Sequence, residues 1–95
     1  CIIPAVDEDD AVRIANDSRY GLAATIWTRD IEHGTRLARR LESGTVGING
    51  YRPDLAVPFG GVKESGSGRE NGPEGLYEFL RSDSVYVFEP VTASP

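Results

Sequence analysis

The chain has 95 residues, a net charge of -5, and apolar and charged fractions of 39% and 26%. These values describe one modest soluble domain at most. With basic and acidic residues interspersed, they argue against nucleic acid or an anionic membrane as a partner. No apolar run approaches the ~20 residues of a spanning helix. A single cysteine, Cys1, excludes an internal disulfide, and a reducing, cytoplasmic setting is the simple expectation.

Residues 1–5 read as a short buried strand ended by Pro4. The chain contains no methionine and opens on Cys1-Ile2-Ile3, as if inside a strand. We therefore expect an excised piece or a truncated product. Asp7 is placed to cap a helix whose first turn carries Glu8, Asp9 and Asp10. Consecutive carboxylates point different ways, so they suit capping better than a metal. Ala11, Val12, Ile14 and Ala15 continue at helical spacing, and residues 16–20 close the helix before Gly21.

Residues 22–28 form the next expected strand, and residues 31–42 a second helix with Ile31, Gly34, Leu37, Ala38 and Leu41 on one face. His33 falls on the solvent side with no second ligand or base near it in sequence, so no metal or catalytic role is assigned. Arg36, Arg39 and Arg40 read as a solvated face near the helix end. Ser43-Gly44 stops the helix, and residues 45–48 are a third strand. Strand, helix, strand, helix, strand with short links predicts an α/β fold with a short parallel sheet. Ligands of such sheets sit beyond the carboxyl ends of the strands. That directs attention to residues 49–70.

Residues 58–75 form a long glycine-rich loop, too dense in glycine for a helix or a strand. Generic glycine motifs miss by one residue. Gly61 and Gly66 have phosphate-loop spacing, but Ser67 stands where a lysine is needed. Gly66 and Gly68 begin a dinucleotide fingerprint, but Asn71 takes the third glycine's place. A short helix follows at residues 72–80. A last strand spans residues 82–89, with Val85 and Val87 on one side, Tyr86 and Phe88 on the other, and both sides apolar. Such a terminal strand suits pairing with another subunit. Residues 90–95 read as a disordered tail.

The loop itself, Pro-Phe-Gly-Gly-x-Lys-x-Ser-Gly-x-Gly-Arg-Glu from Pro58 to Glu70, continues through Gly72-Pro73-Glu74-Gly75-Leu76. It resembles the C-terminal signature of the aldehyde dehydrogenase superfamily. The resemblance extends to Ala11-Val12-Arg13-Ile14-Ala15-Asn16-Asp17-Ser18, to Tyr20-Gly21-Leu22-Ala23-Ala24 and to Gly44-Thr45-Val46-Gly47-Ile48-Asn49. It implies an enzyme in which a cysteine thiolate attacks an aldehyde, hydride passes to NAD or NADP, and a glutamate activates water.

The resemblance also implies that the nucleophilic cysteine, the glutamate and the nucleotide-binding domain lie upstream of this chain. No residue here is assigned as catalytic, Cys1 included, and no cofactor is expected on this piece alone. Residues 1–81 would be the end of the catalytic domain and residues 82–89 an oligomerisation strand, with Val85, Tyr86, Val87 and Phe88 joining a partner's sheet in a homo-oligomer. Phe59, Tyr51 and Leu55 would line the substrate tunnel, the alternative for Phe59 being a loop-anchoring core residue. Glu70 would help relay protons, or else form an ion pair with Lys63 or Arg69. Asn49 and Lys63 would hold the loop by hydrogen bonds. The competing function is a free-standing truncated paralogue acting as an interaction module.

Overall fold

The computed structural model describes residues 1–92. Helix α1 spans Glu8–Asn16, and the Asp7 carboxylate accepts from the Asp10 amide at 2.8 Å to close its first turn. Strand β1 is Tyr20–Gly21 and strand β2 is Ala23–Ile26. Helix α2, Ile31–Ala38, is capped by the Asp30 side chain, and strand β3 is Thr45–Ile48. Strand β4, Val62–Lys63, lies in the glycine loop, and helix α3, Gly72–Tyr77, follows it.

The β2–α2–β3 unit has the expected parallel pairing, with Ala23 opposite Thr45 and Ile26 opposite Ile48. Helix α2 lies on β3 through Gly34, which is buried; a Cβ there would fall 2.8 Å from Thr28 Cγ2 and 3.5 Å from Ile48 Cγ2. The sheet stops at two strands. Strand β1 leaves it at Leu22 to pair antiparallel with β4, Tyr20 opposite Lys63. The loop expected to be free of strand thus supplies one, because pairing needs backbone groups and tolerates neighbouring glycine.

Two expected strands do not form. Residues 1–5 carry no regular structure, and Ile2 is 98% exposed. Residues 82–89 also lack strand pairing, with Val85, Tyr86, Val87 and Phe88 all exposed. The physical reason is the same for both: a strand exists only against a partner backbone, and none lies beside these segments. Residues 90–92 are exposed coil; the rest of the expected tail, 93–95, lies outside the described residues.

Helix α2 ends at Ala38, short of the expected Glu42. Tighter turns replace it, with the Arg40 amide donating to Leu37 O and the Leu41 amide to Ala38 O. The Asn16 side chain claims the next groups, donating to Arg40 O and accepting from the Glu42 amide, both at 2.9 Å. One amide side chain thereby ties the end of α1 to the end of α2. Helix α3 closes in the same way at Tyr77, before the expected Leu80.

No apolar side chain among the described residues is buried. The chain extends 83 × 25 × 24 Å with a radius of gyration of 21.5 Å, against about 12 Å for a compact chain of this length. Among the described residues, large apolar side chains such as Trp27, Phe79 and Phe88 stand exposed.

Candidate functional site

The glycine loop folds back on itself at a single antiparallel bridge. Phe59 N donates to Glu70 O at 2.8 Å, and Glu70 N donates to Phe59 O at 2.7 Å. A residue at each strand's end of this bridge therefore faces one open cleft of about 660 Å³, whose walls include Leu22, Phe59, Arg69, Glu70, Glu78 and Phe79. Phe59 also lines a smaller cavity of about 120 Å³ beside Tyr51, Val57 and Asn71. The half-buried Phe59 thus borders both spaces. Tyr51 joins it in the smaller one. Leu55 does not: its side chain is 81% exposed and lines neither space.

Lys63 is elsewhere. Its backbone takes a φ of 54°, an uncommon left-handed conformation for a side-chain-bearing residue. Its ammonium reaches back to the end of α1, donating to Asn16 O at 2.9 Å and Ser18 O at 3.1 Å, and pairs with Glu42. Asn49 has a comparable task at the sheet: its Oδ1 accepts from the Thr28 amide at 2.7 Å, fastening the end of β3 to the end of β2. Ser65 Oγ accepts from the Gly21 amide at 2.9 Å, which anchors the loop beside β1.

The expected ion pair of Glu70 with Lys63 or Arg69 is not made. Lys63 is committed to Glu42, and the Arg69 guanidinium donates to carbonyl oxygens of Gly61, Gly68 and Ser67. The oxygens are backbone groups, which leave no signature in the sequence, so this use of Arg69 was not foreseen.

A second unforeseen pairing joins the two long helices. His33 Nε2 lies 2.5 Å from Glu8 Oε2, and Arg36 Nη2 lies 3.3 Å from His33 Nδ1. Spacing could not reveal it, since 25 residues separate the partners. The acidic cluster of α1 is dispersed accordingly. Glu8 meets His33, Asp9 meets Arg40 at 2.7 Å, and Asp10 accepts from both Arg13 and the Val6 amide. Those contacts, with the Arg13 hydrogen bond the strongest, hold the Asp10 carboxyl below its ordinary 3.8.

Two glycines are crowded by the chain's own backbone: a Cβ on Gly60 would lie 2.2 Å from Gly68 O, and one on Gly44 would lie 1.6 Å from Gly60 O. Both permit close packing of segments, whereas Gly66 and Gly68 border open space. Cys1 is a free, exposed cysteine.

Comparison with known proteins accounts for these close-packed glycines. The profile of the aldehyde dehydrogenase family matches residues 1–85. The chain belongs to the aldehyde dehydrogenase family. A geranial dehydrogenase of Castellaniella defragrans is 59% identical over 86 residues, which is 90% of this chain and 18% of that protein. The NADP/NAD-dependent aldehyde dehydrogenase PuuC of Escherichia coli is 43% identical over 84% of this chain and 16% of its own length. Among solved structures, a Mycobacterium tuberculosis aldehyde dehydrogenase complexed with NAD+ superposes with a TM-score of 0.87 at 48% identity, over 96% of this chain and 19% of that one. The chain thus spans less than a fifth of the length of these aldehyde dehydrogenases. Matches of this kind do not favour the free-standing interaction module.

Proposed function

We propose that this chain is the C-terminal part of an NAD(P)-dependent aldehyde dehydrogenase that oxidises an aldehyde to a carboxylic acid. Residues 1–81 complete the catalytic domain, and residues 82–89 form the strand that meets another subunit. The observation that carries this reading is a family match over residues 1–85 in a chain whose described residues bury no apolar side chain. Uncovered faces at Trp27, Phe79 and Val85 to Phe88 are what a segment cut from a larger core presents.

Within the parent, Phe59 and Tyr51 contribute tunnel wall, and Glu70 stands across the bridge from Phe59 to assist proton movement. NAD(P)+ in the parent accepts the hydride; this chain's part is to shape the aldehyde's path and exclude water from it. The reacting cysteine and the water-activating glutamate belong to the remainder of the parent, so these 95 residues alone are inactive.

The test joins the chain to the rest of its reading frame. Absorbance of the reduced cofactor is followed with an aldehyde series and with NAD+ or NADP+. The intact parent should turn over, and the isolated piece should not. Turnover by the isolated piece, or none by the parent with any aldehyde, would end this reading. Light scattering on the parent with residues 82–95 removed reports the subunit contact, expected as a loss of oligomer.

A further inference from the structure

The glycine loop is a hairpin with one rung missing. Phe59 and Glu70 exchange both backbone hydrogen bonds. In an antiparallel ladder the next such pair lies two residues further in, at Gly61 and Gly68. No backbone hydrogen bond joins those two among the described residues. Their carbonyl oxygens converge instead on one nitrogen. Arg69 Nη1 donates to Gly61 O at 2.8 Å and to Gly68 O at 2.9 Å, with Ser67 O at 3.3 Å. The arginine stem lies over Gly60, where a Cβ would fall 2.8 Å from Arg69 Cδ. A charged donor makes a stronger bond to a carbonyl than the amide it replaces. The half-buried guanidinium keeps much of that advantage.

We infer that Arg69 is a positioning residue: its guanidinium stands in for the absent Gly61–Gly68 rung and so holds Phe59 and Glu70 opposed on the cleft. The inference deepens the reading of that cleft as tunnel wall and rests on it for its kinetic consequence. It does not rest on it for the clamp itself. Arg69 touches no reacting atom. It acts by fixing the backbone on both sides of the bridge, so its loss releases the aromatic wall and the carboxylate together.

The experiment uses the intact parent. Arg69→Met keeps the stem and removes the donor; Arg69→Lys restores a cation able to reach the carbonyls. In Arg69→Met, hydrogen–deuterium exchange of the Phe59 and Glu70 amides should quicken about tenfold, the size expected for loss of a charge-assisted hydrogen bond. KM for the aldehyde should rise by about as much, with a smaller change in kcat. Arg69→Lys should recover the protection and most of the KM, since a single nitrogen makes all three bonds. Wild-type exchange in Arg69→Met would overturn the clamp, and wild-type KM beside a lowered melting temperature would reduce Arg69 to a structural support. If Arg69→Met does not fold, Arg69→Lys carries the test, and tenfold faster exchange in it refutes donation by a cation. If the wild-type parent oxidises no aldehyde, the functional reading fails, and amide exchange alone decides the clamp.

Discussion

The backbones of Gly44 and Gly60 are in contact, so that a methyl group on Gly44 would lie 1.6 Å from the Gly60 carbonyl oxygen and 2.9 Å from Gly61 Cα. This contact sets the glycine loop against the start of β3. Gly44→Ala should push the two apart and lower stability by roughly 3 kcal/mol, the upper range of overpacking costs. Gly68→Ala is the control. Its nearest neighbour is Glu78 Oε2 at 4.0 Å, and a change within about 0.5 kcal/mol is expected. Denaturant midpoints of the parent carrying each substitution check the pair. Equal midpoints would remove the packing role of Gly44.

Lys63 joins three segments with one ammonium. The Glu42 partner is half exposed, so the ion pair itself contributes under about 1 kcal/mol. The two carbonyls of Asn16 and Ser18 matter more, because they lose a charged donor. Lys63→Met should cost about 1–2 kcal/mol and should do so with little dependence on salt. Thermal unfolding at low and high ionic strength measures both the loss and its salt dependence.

Asp10 gives the first helix a pH dependence of known sign. The hydrogen bond from Arg13, then that from the Val6 amide, favours its ionised form and depresses the folded pKa below 3.8. Its contribution is therefore present above the unfolded value and is lost as pH falls through the folded one. Asp10→Asn should remove this acid-limb dependence and, with it, the contribution that the ionised carboxylate makes at neutral pH. Circular dichroism across the acid range, wild type against variant, shows whether the two curves converge at low pH as required.

Phe59 borders two cavities, one beside Tyr51 and one beside Glu70. Phe59→Ala should widen both. On the proposed tunnel reading, the variant raises KM for a bulky aldehyde about tenfold, the loss expected for one aromatic contact, with a smaller change in kcat. Phe59→Leu should keep most of the wild-type KM. A rise confined to kcat would place Phe59 in the chemistry rather than the wall.

The elements legible in the sequence were those that carry their own punctuation. Asp7 marks the start of α1, and the alternation from residue 22 to residue 48 the parallel β2–α2–β3 unit, whereas Ser43-Gly44 lies beyond the actual end of α2 at Ala38. The β1–β4 pairing was not legible, because two-residue strands are too short to show a period. The strands expected at residues 1–5 and 82–89 have the right composition but no partner backbone within the chain. Phe59 and Glu70 were found as site candidates through the resemblance. Their direct pairing, the carbonyl clamp of Arg69 and the His33–Glu8 contact were not, since each depends on backbone acceptors or on distant residues.

The parallel β2–β3 pair brings together residues 22 positions apart, from Ala23 to Thr45, and both of its edges are open. A two-stranded parallel ribbon cannot repay the loop entropy it takes to close it. During synthesis this region therefore has to wait for a template. On the proposed reading it adds to strands already in place, as the last course of a wall is laid on those beneath. Expressed by itself, the same segment offers its bare edges to copies of itself, and inclusion bodies are the natural outcome. Co-expression with the remainder of the parent, supplied as a separate polypeptide, is the route by which this piece would become soluble.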